Sequence, residues 1–304
     1  MYKYDDIKNR ETFCGFEPIR KGLSGDEKFA VETTDGKKLM LRISDISQYD
    51  RRKTMFELMK PVAALGVPMP NPVDFGTCNE GKSVYQLLTW CEGEELEPIL
   101  PSLPEPEQYA LGVQSGKILR KIHAIPAPDN LEDWSVRYLS GKQGRIDAFS
   151  KTGVQIEDSD SILQYLKENK TLLKSRPQCF QHGDYHNENL LVSKSGQLSV
   201  IDWELFGSGN YGDPWEEFNR IGNSEVIPAF TSGQIHGYFG GEPPEEFWRL
   251  LAFYLSAGAL MLVSWAYYIQ KDQMEYCLNH VKEVLHWYDN MQNPVPTWYR
   301  THTR

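Results

Sequence analysis

The sequence predicts an α+β protein with two lobes: a small β-sheet lobe over residues 1–90 and a mainly helical lobe over residues 91–304. Three observations favour this class. Strand-like runs with one helical pattern fill the first part of the chain, an acidic and proline-rich segment follows over residues 91–108, and long helical patterns occupy most of the remainder. A chain of 304 residues is long enough to form two such units.

The composition narrows the possible function classes. The formal net charge of -10 argues against a nucleic-acid-binding surface, because such a surface needs a basic patch. The five cysteines are scattered without a CxxC pair, as expected for reduced thiols in the cytoplasm. The first residues contain no apolar segment, so we expect no signal peptide. The sequence leaves both a monomer and a homodimer open.

The first lobe begins with a predicted β-meander. Two strand-like runs over residues 29–43 flank Asp35-Gly36, which is a strong hairpin signal. In the second run, alternation places residues 39, 41 and 43 on one face and Lys38, Met40 and Arg42 on the other. Residues 48–65 have a helical pattern that Pro61 should end or kink, and residues 82–90 read as an apolar strand.

The second lobe is predicted to be mostly helical. The clearest patterns cover residues 107–128, where Pro126 stops the helix, and then 158–175, 244–270 and 273–292. Residues 250–270 carry no charge, and their length permits a membrane span. Interspersed Ser and Gly residues and the long soluble region before this segment favour a buried helix, with a membrane anchor as the alternative.

One strand-like segment, residues 179–207, interrupts the helical lobe and contains the predicted chemistry. Asn189 follows Asp184 by five residues, and Asp202 follows Asn189 by thirteen. The residues between Asn189 and Asp202 read as a short hairpin with its turn at 194–196, so its two ends should lie close together. Two oxygen-bearing side chains there suit Mg²⁺ bound together with nucleotide phosphates, and Asp184 could accept a hydroxyl proton. A β-hairpin with ordinary polar turn residues is the simpler alternative.

Two motifs, "HGDYHNENLL" and "VIDWE", resemble the central motifs of the aminoglycoside phosphotransferase-like kinases, which are small-molecule relatives of the protein kinases. The resemblance implies a protein-kinase-like fold, with Asp184 as the catalytic base and Asn189 and Asp202 as Mg²⁺ ligands. It also implies that His182 holds the loop in shape. Gly183 stands where protein kinases often have Arg, and no A-P-E segment follows Asp202. Both departures argue against a protein kinase controlled by an activation loop.

The resemblance also suggests where the nucleotide binds. Arg42 occupies the strand position of the kinase lysine that pairs with the phosphates, and Glu57 is the best candidate for its helix partner. A solvated strand arginine is the alternative for Arg42.

A loop at residues 22–28, which includes Ser24 and Lys28, lies where a phosphate-covering loop belongs, although an ordinary turn would look the same. Backbone groups from Thr89 to Cys91 are the expected adenine contacts. The first lobe is therefore the predicted nucleotide-binding lobe, and the second is expected to carry the catalytic loop and the acceptor site.

The acceptor side is less defined. Relatives use acidic groups in this region to hold cationic substrates, which makes Glu216 and Glu217 tentative substrate contacts. Asp213 is better explained as a cap of the helix expected from Pro214 onward. His123 is expected to pack at a helix end.

The predicted activity is transfer of the γ-phosphoryl group of ATP or GTP, with Mg²⁺, to a hydroxyl of a small molecule. An aminoglycoside or similar amino-sugar is the leading acceptor, and no nucleic acid or membrane partner is expected. The alternatives within the kinases are acceptors of the choline, homoserine, methylthio-sugar or fructosamine type. A nucleotide-binding pseudokinase is a further alternative, although such a protein is expected to lack one of Asp184, Asn189 and Asp202, all of which are present.

Overall fold

The computed structural model describes residues 4–20, 25–205, 210–223 and 226–301. The chain forms two compact units, one from Met1–Pro98 with Asn187–Asn210 and one from Ile99–His186 with Tyr211–Arg304. The segment Asn187–Asn210, which the sequence assigned to the helical lobe, therefore packs with the first unit. The assignment of a function to each predicted lobe stays a prediction.

The first unit is built on a five-stranded antiparallel sheet with the strand order β1-β2-β3-β5-β4. Its strands are β1 (Phe13–Pro18), β2 (Glu27–Thr33), β3 (Lys38–Asp45), β4 (Pro72–Cys78) and β5 (Ser83–Thr89). The predicted hairpin at Asp35-Gly36 is confirmed as the β2–β3 connection. Gly36 has a φ of 79°, a conformation that glycine adopts without steric cost.

The two faces of β3 differ as the alternation predicted. Leu39, Leu41 and Ile43 are buried in an apolar cluster with residues from β1, β2 and β5. Arg42 and Ser44 lie on the opposite face and are also buried, so Arg42 is not the solvated strand arginine of the alternative interpretation.

Helix α1 (Tyr49–Ala64) contains Pro61 and continues past it to the next turn. Of the two predicted outcomes, an end at Pro61 is therefore not what is found, and a kink at Pro61 stays a prediction. The missing N–H of Pro61 removes one hydrogen bond close to the C-terminal end, where few further bonds depend on it. The helix is anchored by Met55, Phe56 and Met59, which are buried.

A second, three-stranded sheet in the first unit carries the polar hairpin. Its order is β6-β8-β9, from β6 (Glu94–Glu95), β8 (Leu190–Val192) and β9 (Leu198–Val200). Leu190 pairs with Val200 in antiparallel register, which confirms the predicted hairpin. The amide of Val200 also donates to the carbonyl of Pro68, so the hairpin is tied to the connector that follows α1.

The second unit is mainly helical and has one short two-stranded sheet. The strands are β7 (Cys179–Phe180) and β10 (Tyr211–Gly212). The short helix α2 (Leu96–Ile99) belongs to the first unit except for its last residue. The helices of the second unit are α3 (Glu105–Ile122), α4 (Trp134–Thr152), α5 (Ser159–Asn169), α6 (Pro228–Phe239), α7 (Glu245–Tyr268) and α8 (Met274–Trp287). The expected end of α3 before Pro126 is confirmed.

Helices α3 and α6 approach each other very closely, because glycines line their contact. Gly112 and Gly116 on α3, and Gly233 and Gly237 on α6, are each spaced four residues apart and so lie on one face of their helix. A Cβ atom at any of the four would overlap a backbone carbonyl oxygen of the other helix. The backbones therefore pack at a distance that only glycine permits.

Helix α7 is long and apolar enough to cross a membrane by length and composition, with a mean hydropathy of 1.6 over its best window. In the structure, 72% of that window is buried inside the protein. This agrees with the buried helix favoured by the sequence. The core helix of a soluble protein passes the same length and hydropathy test, so the match is weak evidence for an anchor.

Candidate active site

The loop of residues 181–186, here called the Asp184 loop, follows strand β7 in the second unit. The amide of Phe180 donates to the carbonyl of Ile125 at 2.8 Å, which fixes the start of the loop beside the end of α3. Near the other end of the loop, the hydroxyl of Tyr185 donates to the carbonyl of Ser115 on α3 at 2.9 Å. Helix α3 therefore holds the loop on both sides of Asp184.

The backbone of the Asp184 loop is bound by one buried carboxylate, that of Glu217. This carboxylate accepts hydrogen bonds from the amides of His182 and Gly183. Its side chain is only 1% exposed, and Nε2 of His123 lies 2.8 Å from Oε2. Glu217 is therefore an anchor for the loop, and the prediction that it contacts substrate is corrected because its carboxylate is enclosed by these groups.

Local geometry explains two residues of the "HGD" motif. His182 is fully buried, and its Nδ1 accepts a hydrogen bond from the amide of Asp184 at 3.3 Å. Gly183 has a φ of 87°, in the left-handed region that disfavours residues with a Cβ. The turn made by His182 and Gly183 directs the chain so that Asp184 lies at the surface of its unit.

The carboxylate of Asp184 lies beside two basic side chains. Nε2 of His186 is 3.3 Å from one of its oxygens, and Nη1 of Arg220 is 3.5 Å from the other. Burial acts to raise the pKa of Asp184, but the hydrogen bond from His186 and the charge of Arg220 outweigh it, and the pKa lies below its ordinary value. With its side chain 29% exposed, Asp184 is an accessible, ionised carboxylate.

The two neighbouring acids behave differently from Glu217. Glu216 accepts a hydrogen bond from Lys142 at 2.9 Å and remains partly exposed. Asp213 is fully buried, where it accepts from the amide of Trp215 and pairs with Arg176. The capping interpretation of Asp213 is therefore consistent with its contacts.

The expected metal ligands lie at one end of the hairpin in the first unit. The amide of Ile201 donates to the carbonyl of Asn189 at 2.9 Å, which brings the backbone before Asp202 next to Asn189. The Asp202 side chain is exposed, and its backbone has a φ of 60°. Asp202 is thus one of the few non-glycine residues in the left-handed region, a conformation often found at functional sites.

Arg42 belongs to a group of four side chains, here called the arginine cluster: the buried Arg42 and Arg52 and the half-buried Asp26 and Glu204. Arg42 Nε donates to Asp26 Oδ2 at 2.7 Å, and Arg42 Nη2 pairs with Glu204. Arg52, from α1, donates to Asp26 at 2.6 Å and to Glu204 at 2.8 Å.

The predicted pairing of Arg42 with Glu57 is wrong. Both carboxylate oxygens of Glu57 accept from Lys60, and the Glu57 side chain is 54% exposed. The helix presents Arg52 to Arg42 instead, and the carboxylates come from the start of β2 and from the "DWE" motif. Burial opposes ionisation of Glu204, but Arg42 and Arg52 hold its pKa below the ordinary value.

The remaining nucleotide candidates are placed as follows. Lys28 stands directly opposite Arg42 in the β2–β3 pairing, so both cations are on one face of the sheet. Ser24 lies outside the described residues. The amides of Thr89 and Trp90 already donate to Asn71 and Lys38.

Whether the backbone from Thr89 to Cys91 contacts adenine stays a prediction. The Cys91 side chain is half-buried, and burial raises the pKa of its thiol to about 11. The thiol therefore remains protonated at neutral pH.

Sequence reasoning did not identify Asp26, Arg52, Glu204 and Arg220 as site residues. Two of them lay in segments that the sequence had singled out: Asp26 in the loop at residues 22–28, and Glu204 two residues beyond Asp202 in the "VIDWE" motif. The others reach the site through pairing of distant segments.

Comparison with protein-family models identifies the class of this enzyme. A family model described as the phosphotransferase enzyme family matches residues 15–251. The chain belongs to this family, which confirms the predicted family and enzyme class. A search of curated proteins finds no match.

Several solved structures share the protein-kinase-like α+β fold. The ADP-bound aminoglycoside phosphotransferase APH(2'')-Ib is 17% identical, with a TM-score of 0.63 over 92% of this chain and 95% of that one. A choline/ethanolamine kinase family protein from Mesorhizobium loti is 16% identical, with a TM-score of 0.62 over 92% and 91%. The amicoumacin kinase hAmiN is 14% identical, with a TM-score of 0.58 over 97% and 92%. At these identities the similarity establishes the fold.

Proposed function

We propose that this phosphotransferase moves the γ-phosphoryl group of ATP or GTP to a hydroxyl of a small amino-sugar, with an aminoglycoside as the leading acceptor. The observation that carries this proposal is the accessible, ionised carboxylate of Asp184, on a loop whose backbone is bound by Glu217. A catalytic base must be ionised before it can accept a proton, and it must be reachable by the acceptor.

Asp184 is the proposed base. Its carboxylate accepts the proton of the acceptor hydroxyl as the hydroxyl oxygen bonds to the γ-phosphorus, and the bond from phosphorus to the bridging oxygen breaks to release the nucleoside diphosphate. Arg220 and His186 keep the carboxylate charged and limit its movement. Because the protein makes no covalent intermediate in this scheme, its contribution is positioning and electrostatic stabilisation.

Arg42 and Lys28 are the proposed phosphate contacts. Arg42 pairs with Asp26 and Glu204, and Lys28, directly opposite on the neighbouring strand, adds positive charge that favours a further anion beside the two residues. Nucleotide phosphates supply such an anion, and the amide of Cys91 is the proposed adenine contact. We also assign the nucleotide to the 1–90 lobe and the acceptor to the 91–304 lobe.

Asn189 and Asp202 fit a Mg²⁺ site, because amide and carboxylate oxygens at one hairpin end are hard ligands. Within the described ranges, no group of three or more His, Cys, Asp or Glu side chains could hold a metal ion by itself. We expect phosphate oxygens and water to complete the coordination. When bound, Mg²⁺ neutralises charge on the phosphates.

The choice of acceptor rests on charge and on the fold. The net charge of -10 is compatible with a cationic acceptor, and Glu216 is the remaining tentative contact because Glu217 is buried. Structures with this fold include an aminoglycoside phosphotransferase and a choline/ethanolamine kinase family protein. A choline-type acceptor is therefore the second candidate.

A panel of acceptors in an ADP-release assay tests the acceptor. We expect turnover with at least one aminoglycoside, dependent on Mg²⁺ and on ATP or GTP. Turnover confined to choline, homoserine, methylthio-sugar or fructosamine substrates would replace the leading acceptor. Nucleotide binding without turnover on any acceptor would favour the pseudokinase.

We place the enzyme in the cytoplasm, as a monomer or homodimer without a nucleic-acid or membrane partner. The burial of most of α7 supports this placement. Fractionation tests it, since recovery only with detergent would favour the membrane-anchored alternative.

A further inference from the structure

The arginine cluster contains two arginines and two carboxylates, whereas binding a phosphate through Arg42 requires only one arginine. One oxygen, Oδ2 of Asp26, contacts Arg42 Nε at 2.7 Å, Arg42 Nη2 at 2.6 Å and Arg52 Nη2 at 2.6 Å. Glu204 uses both of its oxygens, and Arg52 Nη1 donates to them at 2.9 and 2.8 Å. Each arginine thus bridges both carboxylates.

The balance of charge gives Arg52 a distinct role. If Arg42 alone faced Asp26 and Glu204, two carboxylates would surround one cation, and the local charge would repel a nucleotide phosphate. Arg52 supplies a second buried positive charge, so the two buried arginines balance the two carboxylates. The Arg52 side chain is itself fixed, because its Nε donates to Ser44 Oγ at 3.0 Å. Arg51, whose side chain is 46% exposed, lies 3.5 Å from Glu204 at the outer side of the cluster.

Glu204 links this cluster to the proposed metal ligand. It lies two residues beyond Asp202, in the stretch that follows β9. Its partners come from β3 and from α1, so its carboxylate ties three separate segments of the first unit together. A displacement of Glu204 would therefore affect both the arginine and the backbone that carries Asp202.

We propose that Arg52 and Glu204 are positioning residues of the nucleotide site, which together orient the Arg42 guanidinium and keep its surroundings electrically neutral so that phosphate can bind. Arg52 and Glu204 thus take the place of Glu57, the helix carboxylate that the sequence predicted as the partner of Arg42. The inference rests on the proposed nucleotide site.

Calorimetric titration of ADP with Mg²⁺ tests the proposal without requiring turnover. Arg52→Gln leaves two carboxylates around Arg42, and we expect its dissociation constant for ADP to rise about tenfold or more. Glu204→Gln removes the carboxylate that orients Arg42, and a similar rise is expected. The double variant leaves the neutral Arg42–Asp26 pair, so its loss should be smaller than the product of the two single losses.

Two further variants keep the test decisive. Lys53→Gln removes the same charge from an exposed position of the same helix and should bind ADP within twofold of the wild type. Arg52→Lys keeps the charge and disturbs folding less, and its dissociation constant should lie between those of the wild type and Arg52→Gln.

The outcomes separate this inference from the proposed function. Binding by the Arg52 and Glu204 variants within twofold of Lys53→Gln, even with a lowered melting temperature, would overturn the positioning role and leave the cluster a structural one. Failure of the wild type itself to bind ADP or ATP would instead overturn the proposed nucleotide site.

Discussion

The Asp184 loop and the arginine cluster hold their charged side chains in opposite ways. In the loop, the anchor is Glu217, which binds backbone amides, while Asp184 itself stays 29% exposed. In the cluster, Arg42 is bound directly by Asp26 and Glu204 and is only 5% exposed. Anchoring through the backbone fixes position without using the functional charge. Anchoring through side chains fixes position but neutralises that charge, so a second cation is needed.

The largest effect that we expect is on kcat, when Asp184 of the loop is replaced. Asp184→Asn keeps the shape of the side chain and removes its basicity, so kcat should fall roughly 10²- to 10⁴-fold. The dissociation constant for ADP should not change, because the loop backbone is held by Glu217. Steady-state kinetics and calorimetry measure both. Retention of more than a tenth of the wild-type kcat would contradict the assignment of the base.

The anchor itself is tested by two adjacent residues. Glu217→Gln places an amide donor against the N–H groups of His182 and Gly183, and we expect a loss of about 1–3 kcal/mol in the free energy of unfolding. The control is Glu216→Gln, whose bond to Lys142 lies nearer the surface and should contribute less than about 1 kcal/mol. Urea denaturation measures both. Equal losses of unfolding free energy in the two variants would contradict the role of Glu217 as the anchor of the Asp184 loop.

The charge of Asp184 is tested by pH. Its folded-state pKa is depressed, so removal of Arg220 should raise that pKa toward its ordinary value. The acidic limb of kcat/KM should therefore move to higher pH in Arg220→Gln, because the base becomes protonated earlier as pH falls. The stability that the depressed pKa contributes is present above the unfolded-state pKa and is lost as pH falls through the folded-state value.

The pH profile of Arg220→Lys supplies the control, since lysine keeps a positive charge and should restore part of the shift. An acidic limb that stays in place in Arg220→Gln would show that Arg220 does not set the ionisation of Asp184.

The smallest effect is expected at Glu57. Its exposed pair with Lys60 should contribute at most about 0.5 kcal/mol to the free energy of unfolding. Glu57→Gln should leave ADP binding unchanged, in contrast to Glu204→Gln. A loss of affinity at Glu57 that matched the loss at Glu204 would restore the helix glutamate as the partner of the strand cation.

Local patterns predicted those parts of the site that depend on short-range pairing. The spacing of Asn189 and Asp202 predicted a hairpin, and the alternation along β3 placed Arg42 on the face opposite the apolar core. The helix that follows β3 was also predicted, but its rotation was not. Sequence spacing could not decide whether Arg52 or Glu57 faced the sheet, since both lie on α1.

Other features depend on contacts between distant segments. Glu216 and Glu217 are adjacent and chemically identical, yet only Glu217 is enclosed, by groups from the Asp184 loop and from the end of α3. Helices α4 and α6 were not recognised individually, because each contains two glycines, which weaken a helical pattern. In α6 those glycines are required by the close contact with α3. The helical pattern of α6 is therefore weak because its sequence satisfies tertiary packing.

The glycine contact between α3 and α6 has a consequence for how this enzyme can change. Ser115, which binds Tyr185 beside Asp184, lies between two of the contact glycines, and His123 at the end of α3 reaches both Glu217 and Tyr238 of α6. The contact between the two helices therefore fixes the positions of Ser115 and His123, which contact Tyr185 of the Asp184 loop and its anchor Glu217. Even one methyl group on a contact glycine would push the two helices apart and displace the Asp184 loop. We therefore expect few substitutions to be tolerated at that contact, whereas the exposed surface around the loop can vary and adapt to new acceptors.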